Sequence, residues 1–292
     1  GTKVLTKQLG TNANEKIISM VIDGVGIIYV VGHTNGSLEG NTNIGDRDAF
    51  LTKLTDDGDR VWTKQWGTTT TDYAYSVAID SEDNIFVAGY TAGEIDGNVS
   101  IGDYDAFITK WASDGTKAWT KQWGSSSWEY ASSIAVDSTG NSYVTGYTGG
   151  SMDDNTNSGE SDIFLTKWAG DGTKAWTKQW GTNKSDYGYS IAVDGNENIF
   201  VTGSTIGSLD GNTNAGGTCG GTDLCPDIFL TKWNNDDTKA WTKQWGTTKN
   251  DKGHSVAVDI SGNIYIAGEA YKDLDGNTSE TGGIFFTKWF AE

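Results

Sequence analysis

The sequence predicts an all-β fold assembled from five similar units. A phrase of the form T-K-Q-(L/W)-G-(T/S) recurs five times, and its successive copies are separated by 57, 57, 57 and 65 residues. Between the copies, short apolar runs alternate with turns rich in Asp and Gly, and no stretch shows a helical period. Because the period of about 57 residues covers all 292 residues, we expect a single domain, 1–292, of a repeat architecture.

The second unit shows the elements most clearly. Its residues alternate from position 74 onward, which predicts a strand with Tyr75, Val77 and Ile79 on one side. β-Branched and aromatic runs follow, separated by two short polar turns and one long polar loop. The four predicted strands span residues 74–80, 85–90, 106–111 and 117–123. Each unit is therefore expected to be a sheet of four antiparallel strands.

Four-stranded units repeated around an axis are the blades of a β-propeller. First strands begin near residues 17, 74, 131, 188 and 253, which gives five blades. The chain starts with a segment of the fourth-strand type, residues 3–9, and finishes in a third strand, Ile284–Trp289. We therefore predict a five-bladed β-propeller in which residues 3–9 complete the last blade and close the ring, so that no edge is left open.

Three segments resemble a known repeat family. These are V-A-V-D-I-S-G-N-I-Y-I-A-G (Val256–Gly268), S-L-D-G-N-T-N-A-G-G (Ser208–Gly217) and F-L-T-K-W (Phe229–Trp233), which are similar to the bacterial SBBP-type β-propeller repeats. The resemblance extends over essentially the whole chain. It implies the propeller fold and an extracellular or bacterial cell-surface location, since that family occurs mainly in secreted and surface proteins. It leaves the activity open, because the family has no single agreed one.

Charge and cysteine content exclude some partners. A formal net charge of −18 argues against nucleic acid, whose phosphates need a basic surface. No apolar run is long enough to insert into a membrane.

Cys219 and Cys225 lie in the long insertion of the fourth unit, where they form either a local disulfide or two free thiols. A disulfide would indicate an oxidising compartment.

The long loops carry a repeated acidic and amide phrase. Oxygen ligands at alternate positions of a turning loop are what calcium prefers, and a later aspartate in each unit would complete the site. Asp and Asn also favour turns by bonding their own backbone, so turn chemistry is the alternative interpretation and the favoured one. The candidate calcium ligands are Asp96, Asn98, Asp105, Asp153, Asn155, Asn157, Asp162, Asp210, Asn212, Asn214 and Asp227.

A carboxylate opens the first strand of every unit. In a five-fold arrangement these groups would form a ring at the mouth of the central channel and bind a cation or a cationic ligand. Alternatively, each one accepts hydrogen bonds from backbone N–H groups or hydroxyls of its own surroundings. The five residues are Glu15, Asp72, Glu129, Asp186 and Asp251.

Tryptophan is the remaining candidate for ligand binding. Most of the 13 tryptophans recur at strand spacing, where they either offer platforms for sugar rings or fill the space between blades. Trp128 differs, because no other unit has a tryptophan in the loop between its fourth strand and the next first strand. An isolated tryptophan on the face that carries the long loops is a candidate for ligand contact.

Near-identical blades favour multivalent binding over catalysis, which needs distinct groups in distinct environments. Only two histidines occur, His33 and His254, at positions that are not equivalent. We therefore predict a binding or adhesion module that is not an enzyme, with a glycan or a surface protein as partner. The main alternative is a structural scaffold, coat or filament subunit that self-assembles, and the third is a glycoside hydrolase.

Overall fold

A computed structural model describes residues 1–2, 4–219, 224–271, 273–277 and 282–290. Within these residues the chain forms 19 strands in five antiparallel sheets, four with four strands and one with three. The prediction of an all-β fold built of propeller-like repeats is confirmed. In this described part, no helix reaches the length and apolar character that a membrane crossing requires.

Strands follow one another in space in the order of the sequence within every sheet. The first sheet contains β1 Glu15–Ile22, β2 Ile28–Thr34, β3 Asp48–Leu54 and β4 Arg60–Trp66. The second contains β5 Asp72–Ile79, β6 Ile85–Thr91, β7 Asp105–Trp111 and β8 Lys117–Trp123. The third contains β9 Glu129–Val136, β10 Ser142–Thr148, β11 Asp162–Trp168 and β12 Lys174–Trp180. The fourth contains β13 Asp186–Val193, β14 Ile199–Thr205, β15 Asp227–Trp233 and β16 Lys239–Trp245. The fifth contains β17 Asp251–Val258, β18 Asn263–Ala270 and β19 Gly283–Phe290.

The chain forms two compact units, Gly1–Ile134 and Ala135–Glu292, and each is considered by itself. The first unit contains the first two sheets, and the boundary falls inside β9. A single domain over residues 1–292 stays a prediction.

Repeated tryptophans pack neighbouring sheets against each other inside each unit. In the first unit, the Trp66 and Trp111 rings lie 5.1 Å apart, and the ammonium group of Lys117 lies over both. In the second unit, Trp180 and Trp233 repeat this arrangement at 5.4 Å. These side chains are almost fully buried, so the packing interpretation accounts for them.

A β-bulge interrupts the first strand of the second sheet between Ala74 and Ser76. The extra residue breaks the alternation, so Tyr75 is 36% exposed while Val77 is buried at 7%. Placing Tyr75 and Val77 on the same side was therefore wrong. The same shift recurs in the first strands of the first, fourth and fifth sheets.

The closing strand of the predicted ring is not present among the described residues. Residues 4–9 belong to no strand, and Lys7 instead pairs with Asp59 in the first unit at 2.8 Å. Lys3, the first residue of the predicted closing strand, lies outside the described residues. In its sheet, β19 pairs with β18, and the side chain of Ile284 is 96% exposed. Closure of five blades is therefore not confirmed.

Candidate functional site

Five tyrosine side chains of the first unit form a continuous group, which we call the tyrosine cluster. Its members come from β5, β6, the loop before β7, and β9. Trp128, His33 and Arg47 contact its margin. The cluster consists of Tyr73, Tyr75, Tyr90, Tyr104 and Tyr130.

Two main-chain bridges bring residues that are distant in sequence into this group. Tyr104 forms a parallel bridge with Trp128, and the N–H of Glu129 donates to the carbonyl of Tyr104 at 2.8 Å. Arg47 forms the equivalent bridge with Thr71, and the N–H of Asp72 donates to the carbonyl of Arg47 at 2.8 Å. The long loop of one repeat is thereby fixed beside the first strand of the next.

The rings lie close enough to act as one surface. The centroid of Tyr90 lies 4.8 Å from Tyr73 and 4.5 Å from Tyr130. Tyr130 stacks on Tyr104 at 5.6 Å and contacts Trp128 at the same distance. Tyr75 is exposed and the other four tyrosines are half-buried, so part of the aromatic surface remains accessible to solvent.

Burial sets the charge state of the cluster. It raises the pKa of Tyr90 and of Tyr130, so both phenols keep their protons at neutral pH. Burial, reinforced by the positive charges of Arg47 and Lys16, lowers the pKa of His33 to about 4. His33 is therefore neutral at pH 7, whereas Arg47 is charged and donates a hydrogen bond to the hydroxyl of Tyr73.

A smaller aromatic group occupies the corresponding positions of the second unit. Tyr187 lies 4.9 Å from Tyr147 and 6.1 Å from Tyr189, and Tyr189 lies 5.8 Å from His254. Here Lys252 pairs with Glu269 at 3.4 Å. The two groups are unlike, which departs from the expectation of equal sites in every blade.

The five carboxylates that begin the first strands hold the loop just before them. Each accepts a hydrogen bond from the backbone N–H of the residue four positions earlier. The geometry therefore favours the alternative interpretation, in which these carboxylates cap loops. The residues concerned are Glu15, Asp72, Glu129, Asp186 and Asp251. Ligand binding by these groups stays a prediction.

The acidic and amide phrase of the long loops has a regular set of contacts. The aspartate at its start pairs with a lysine that begins the fourth strand of the same sheet: Asp96 with Lys117 at 2.6 Å, Asp153 with Lys174 at 2.6 Å and Asp210 with Lys239 at 2.9 Å. These aspartates have φ near +50°, which Asp tolerates in turns.

The remaining residues of the phrase are also engaged. The amides of Asn98, Asn155 and Asn212 donate to the carbonyl three residues earlier, and those of Asn157 and Asn214 donate to loop carbonyls. Asp105, Asp162 and Asp227 each accept from a glutamine side chain and from a loop N–H. The described residues contain no group of three or more His, Cys, Asp or Glu side chains arranged for a metal.

Chelation distinguishes calcium binding by these loops from turn chemistry, the alternative interpretation. Because lysines already neutralise Asp96, Asp153 and Asp210, we expect the same melting temperature in EDTA and in excess calcium. Differential scanning fluorimetry measures this. A lower melting temperature in EDTA would show that the loops bind calcium.

Cys219 and Cys225 form a disulfide within the insertion of the fourth sheet, with their Cα atoms 4.9 Å apart. Both alternatives had been open from the sequence. The bond closes a short loop before β15.

Sequence reasoning named Trp128 but missed the tyrosine cluster that it joins. A signal was present at positions where nearly identical repeats differ. The residue before the third strand is Arg47, Tyr104, Ser161 or Pro226 in successive sheets. A position that differs between nearly identical repeats is one where the fold does not require a particular side chain, so it is a candidate position for ligand contact.

The model of the SBBP family, described as a beta-propeller repeat, matches four segments of the chain. The matched segments are residues 61–96, 118–151, 175–210 and 240–275. Each match begins in the fourth strand of one sheet and extends into the loop after the second strand of the next. The resemblance inferred from the sequence is confirmed.

Two curated proteins share part of their sequence with this chain. The regulatory protein FlaEY of Caulobacter vibrioides is 27% identical over 221 residues, which are 68% of this chain and 23% of that protein. An uncharacterized WD repeat-containing protein of Acanthamoeba polyphaga mimivirus is 25% identical over 300 residues, covering 78% of this chain and 21% of that protein. The chain thus spans less than a quarter of the length of these relatives.

Solved structures of ulvan lyase, a polysaccharide lyase, share the fold. One has a TM-score of 0.55 at 14% identity and covers 97% of this chain and 72% of the lyase. Another, solved with bound -[GlcA(1-4)Rha3S]-, has a TM-score of 0.53 at 13% identity and covers 92% and 67%. At these identities the likeness concerns the fold alone.

The prediction that the chain is not an enzyme is wrong as an exclusion, because proteins that share its fold are enzymes. The argument from symmetry also fails. The tyrosine cluster with His33 and Arg47 combines groups that the other sheets do not repeat.

Proposed function

We propose that this chain, four segments of which match the SBBP beta-propeller repeat, is a glycan-binding module of the cell exterior. The tyrosine cluster is the proposed binding surface. One observation carries the proposal: five tyrosines and Trp128 form a continuous, partly exposed aromatic surface.

The chemistry of such a surface complements sugars. The C–H face of a pyranose ring packs on an aromatic ring, and its hydroxyl edge needs hydrogen-bond partners beside that contact. Phenols that keep their protons, as burial causes at Tyr90 and Tyr130, both donate and accept hydrogen bonds. Tyrosine and tryptophan also lose little conformational entropy on binding, because each has only two rotatable side-chain bonds.

An extracellular or surface location and a role in adhesion form part of the proposal. The disulfide between Cys219 and Cys225 supports an oxidising compartment. The aromatic group of the second unit supports a second, unlike site in the same chain, and two sites on one long glycan would raise avidity.

Alanine substitution at the accessible margin of the cluster tests the proposal. We expect Tyr104→Ala and Trp128→Ala each to weaken glycan binding about tenfold, since an aromatic anchor contributes about 1–2 kcal/mol. Binding to a glycan array, followed by calorimetry on the best hit, measures the effect.

Tyr271→Ala is the matched control, because Tyr271 is an exposed tyrosine outside the cluster, in the second unit. It should leave the affinity unchanged. If no glycan binds, or if all three variants bind like the wild type, the proposal fails. Regular self-assembly without any response to sugars would then support the scaffold alternative.

Cleavage of the bound glycan is a second candidate function, and His33 favours it. Its imidazole is neutral at pH 7, its ring lies 4.4 Å from Tyr73, and its Nδ1 has no hydrogen-bond partner among the described residues. A neutral imidazole accepts a proton as a general base, although a pKa of about 4 makes His33 a weak base and its Nδ1 is buried. Release of shorter glycans that disappears in His33→Ala would support cleavage, whereas an unchanged chain length would exclude it for the glycans tested.

We also propose that a fourth strand of the K-V-L-T-K-Q-L type, residues 3–9, completes the edge of β19 and closes five blades. In the four complete sheets, a threonine of the third strand contacts a threonine of the fourth, as Thr109 and Thr120 do at 3.1 Å. Thr6 and Thr287 occupy the equivalent positions of the two segments. A disulfide formed by Thr6→Cys with Thr287→Cys in monomeric protein would support closure, and its absence under oxidising conditions would contradict it.

A further inference from the structure

Lys16 and His33 lie directly opposite each other on the paired strands β1 and β2. Side chains at such opposed positions project from the same side of the sheet. The ring of His33 contacts the ring of Tyr73, and the guanidinium of Arg47 lies 5.4 Å from the centre of that ring. Lys16, His33 and Arg47 therefore form a margin of the tyrosine cluster, which we call the cationic corner.

The positive charge of this corner is not neutralised within the described part of the first unit. Neither Lys16 nor Arg47 forms an ion pair there, whereas Arg60 and Lys117 of the same unit pair with Glu39 and Asp96. His33 adds no charge of its own, because it is neutral at pH 7. In a chain of net charge −18, two cations without an ion pair beside an aromatic surface form a local positive site.

Two nearby carboxylates, Glu15 and Asp48, are directed to other partners. Glu15 is adjacent to Lys16, but strand alternation places it on the opposite face, where it accepts hydrogen bonds from Thr11 and Thr34. Asp48 follows Arg47 and accepts from Ile44 and Gln65. The corner is thus left open to an anion from outside.

The second unit provides an internal comparison. Lys252 occupies the position of Lys16, and the residue opposite it is Glu269 instead of histidine. Lys252 and Glu269 form an ion pair of 3.4 Å, so each neutralises the other's charge. The same fold position is therefore neutralised in one unit and open in the other.

We propose that the tyrosine cluster recognises an acidic polysaccharide, with the carboxylate or sulfate of one sugar unit bound by Lys16 and Arg47. This inference depends on the proposed glycan-binding function and names the class of glycan. Arg47 supplies planar donors that match an anionic oxygen pair, and Lys16 supplies a mobile charge. Sugar rings on either side of the anionic group pack on Tyr73 and Tyr90.

The net charge of the protein bears on its selectivity for acidic glycans. A chain of −18 repels polyanions in general, so non-specific attraction does not explain any binding of an acidic glycan. Affinity for the anionic group has to come from a local site.

The experiment compares each acidic glycan with its own neutral form. The probes are alginate and hyaluronan, each beside its carboxyl-reduced counterpart, and carrageenan beside its desulfated counterpart. We expect at least one acidic form to bind about tenfold more tightly than its neutral form, and Lys16→Met or Arg47→Met to remove that preference. His33→Glu should also remove it, because it copies the closed pair of Lys252 and Glu269.

Lys252→Met is the matched control and should keep the preference, since that lysine is already paired in the second unit. The inference is overturned if no acidic form binds more tightly than its neutral form, or if Lys16→Met and Arg47→Met both retain the preference. Loss of binding to every glycan in Tyr104→Ala, with the preference unaffected by the lysine and arginine variants, would keep the proposed function and reject only this inference.

Discussion

Gly89→Ala should destabilise the protein by about 3 kcal/mol or more. A Cβ atom on Gly89 would lie 1.8 Å from the carbonyl oxygen of Tyr73 and 3.0 Å from the ring of Phe107. The carbonyl approaches so closely because Gly89 pairs with Ala74, at the start of the bulge in β5. Chemical denaturation measured by tryptophan fluorescence reports the change.

Gly24→Ala is the control for this prediction. Gly24 lies outside the strands, and a Cβ there would meet nothing within 4 Å. We expect a change smaller than about 1 kcal/mol. If Gly89→Ala unfolds at the same denaturant concentration as Gly24→Ala, the close approach of the bulge is not a constraint on the fold.

A folded fraction of Gly89→Ala would also report on function. Relief of the contact requires the backbone at Tyr73 to move, and Tyr73 contacts both Tyr90 and His33. We therefore expect glycan binding to fall in the folded fraction as well, because the bulge positions the ring as well as the strand.

Stability should decrease as the pH rises from about 4 to about 6, and Asp186 should be a major source of the decrease. Burial raises the pKa of Asp186 from 3.8 to about 6, against the opposing effect of hydrogen bonds from Thr205 and Thr182. A carboxyl group with a raised pKa binds its proton more tightly in the folded state. Its contribution is fully present below pH 3.8 and is lost as the pH passes 6.

The expected loss is about 3 kcal/mol, because the shift is about two pKa units and the side chain is fully buried. Burial also raises the pKa of Asp72, Asp162, Asp227 and Asp251, so these groups act in the same direction. Urea denaturation at a series of pH values measures the slope.

Asp186→Asn should flatten this dependence, since the amide does not ionise. Its oxygen would still accept from the N–H of Thr182, and its NH2 would face the hydroxyl of Thr205, which also accepts hydrogen bonds. Asp236→Asn is the control, because Asp236 is exposed and hydrogen bonds from Thr238 lower its pKa. An equal slope in the wild type and in Asp186→Asn would contradict the assignment.

The sequence predicted the strands well because their signals are local. Alternation, β-branched runs and Asp/Gly turns gave β8 at its observed bounds, Lys117–Trp123, and β6 within one residue. First strands were predicted two residues late, beginning near 74 where β5 begins at Asp72. The bulge at Tyr75 hides the start of the strand, because it breaks the period on which the prediction relied.

The tyrosine cluster could not be predicted in the same way, because its geometry depends on contacts between distant segments. Tyr104 and Trp128 meet through a main-chain bridge that has no side-chain pattern of its own. Repeat identity also favoured the carboxylates present in every unit as candidate ligand groups. In the structure these groups cap loops, as Asp72 does for Thr68.

That main-chain bridge has a consequence for how such proteins diversify. The bridge is made of N–H and C=O groups alone. Its hydrogen bonds therefore do not depend on the side chains of Tyr104 and Trp128, and another pair of side chains would leave them in place. Copies of one duplicated module are therefore able to acquire different specificities at this position while the scaffold keeps its stability. The same property makes it a natural place to graft new recognition surfaces by design.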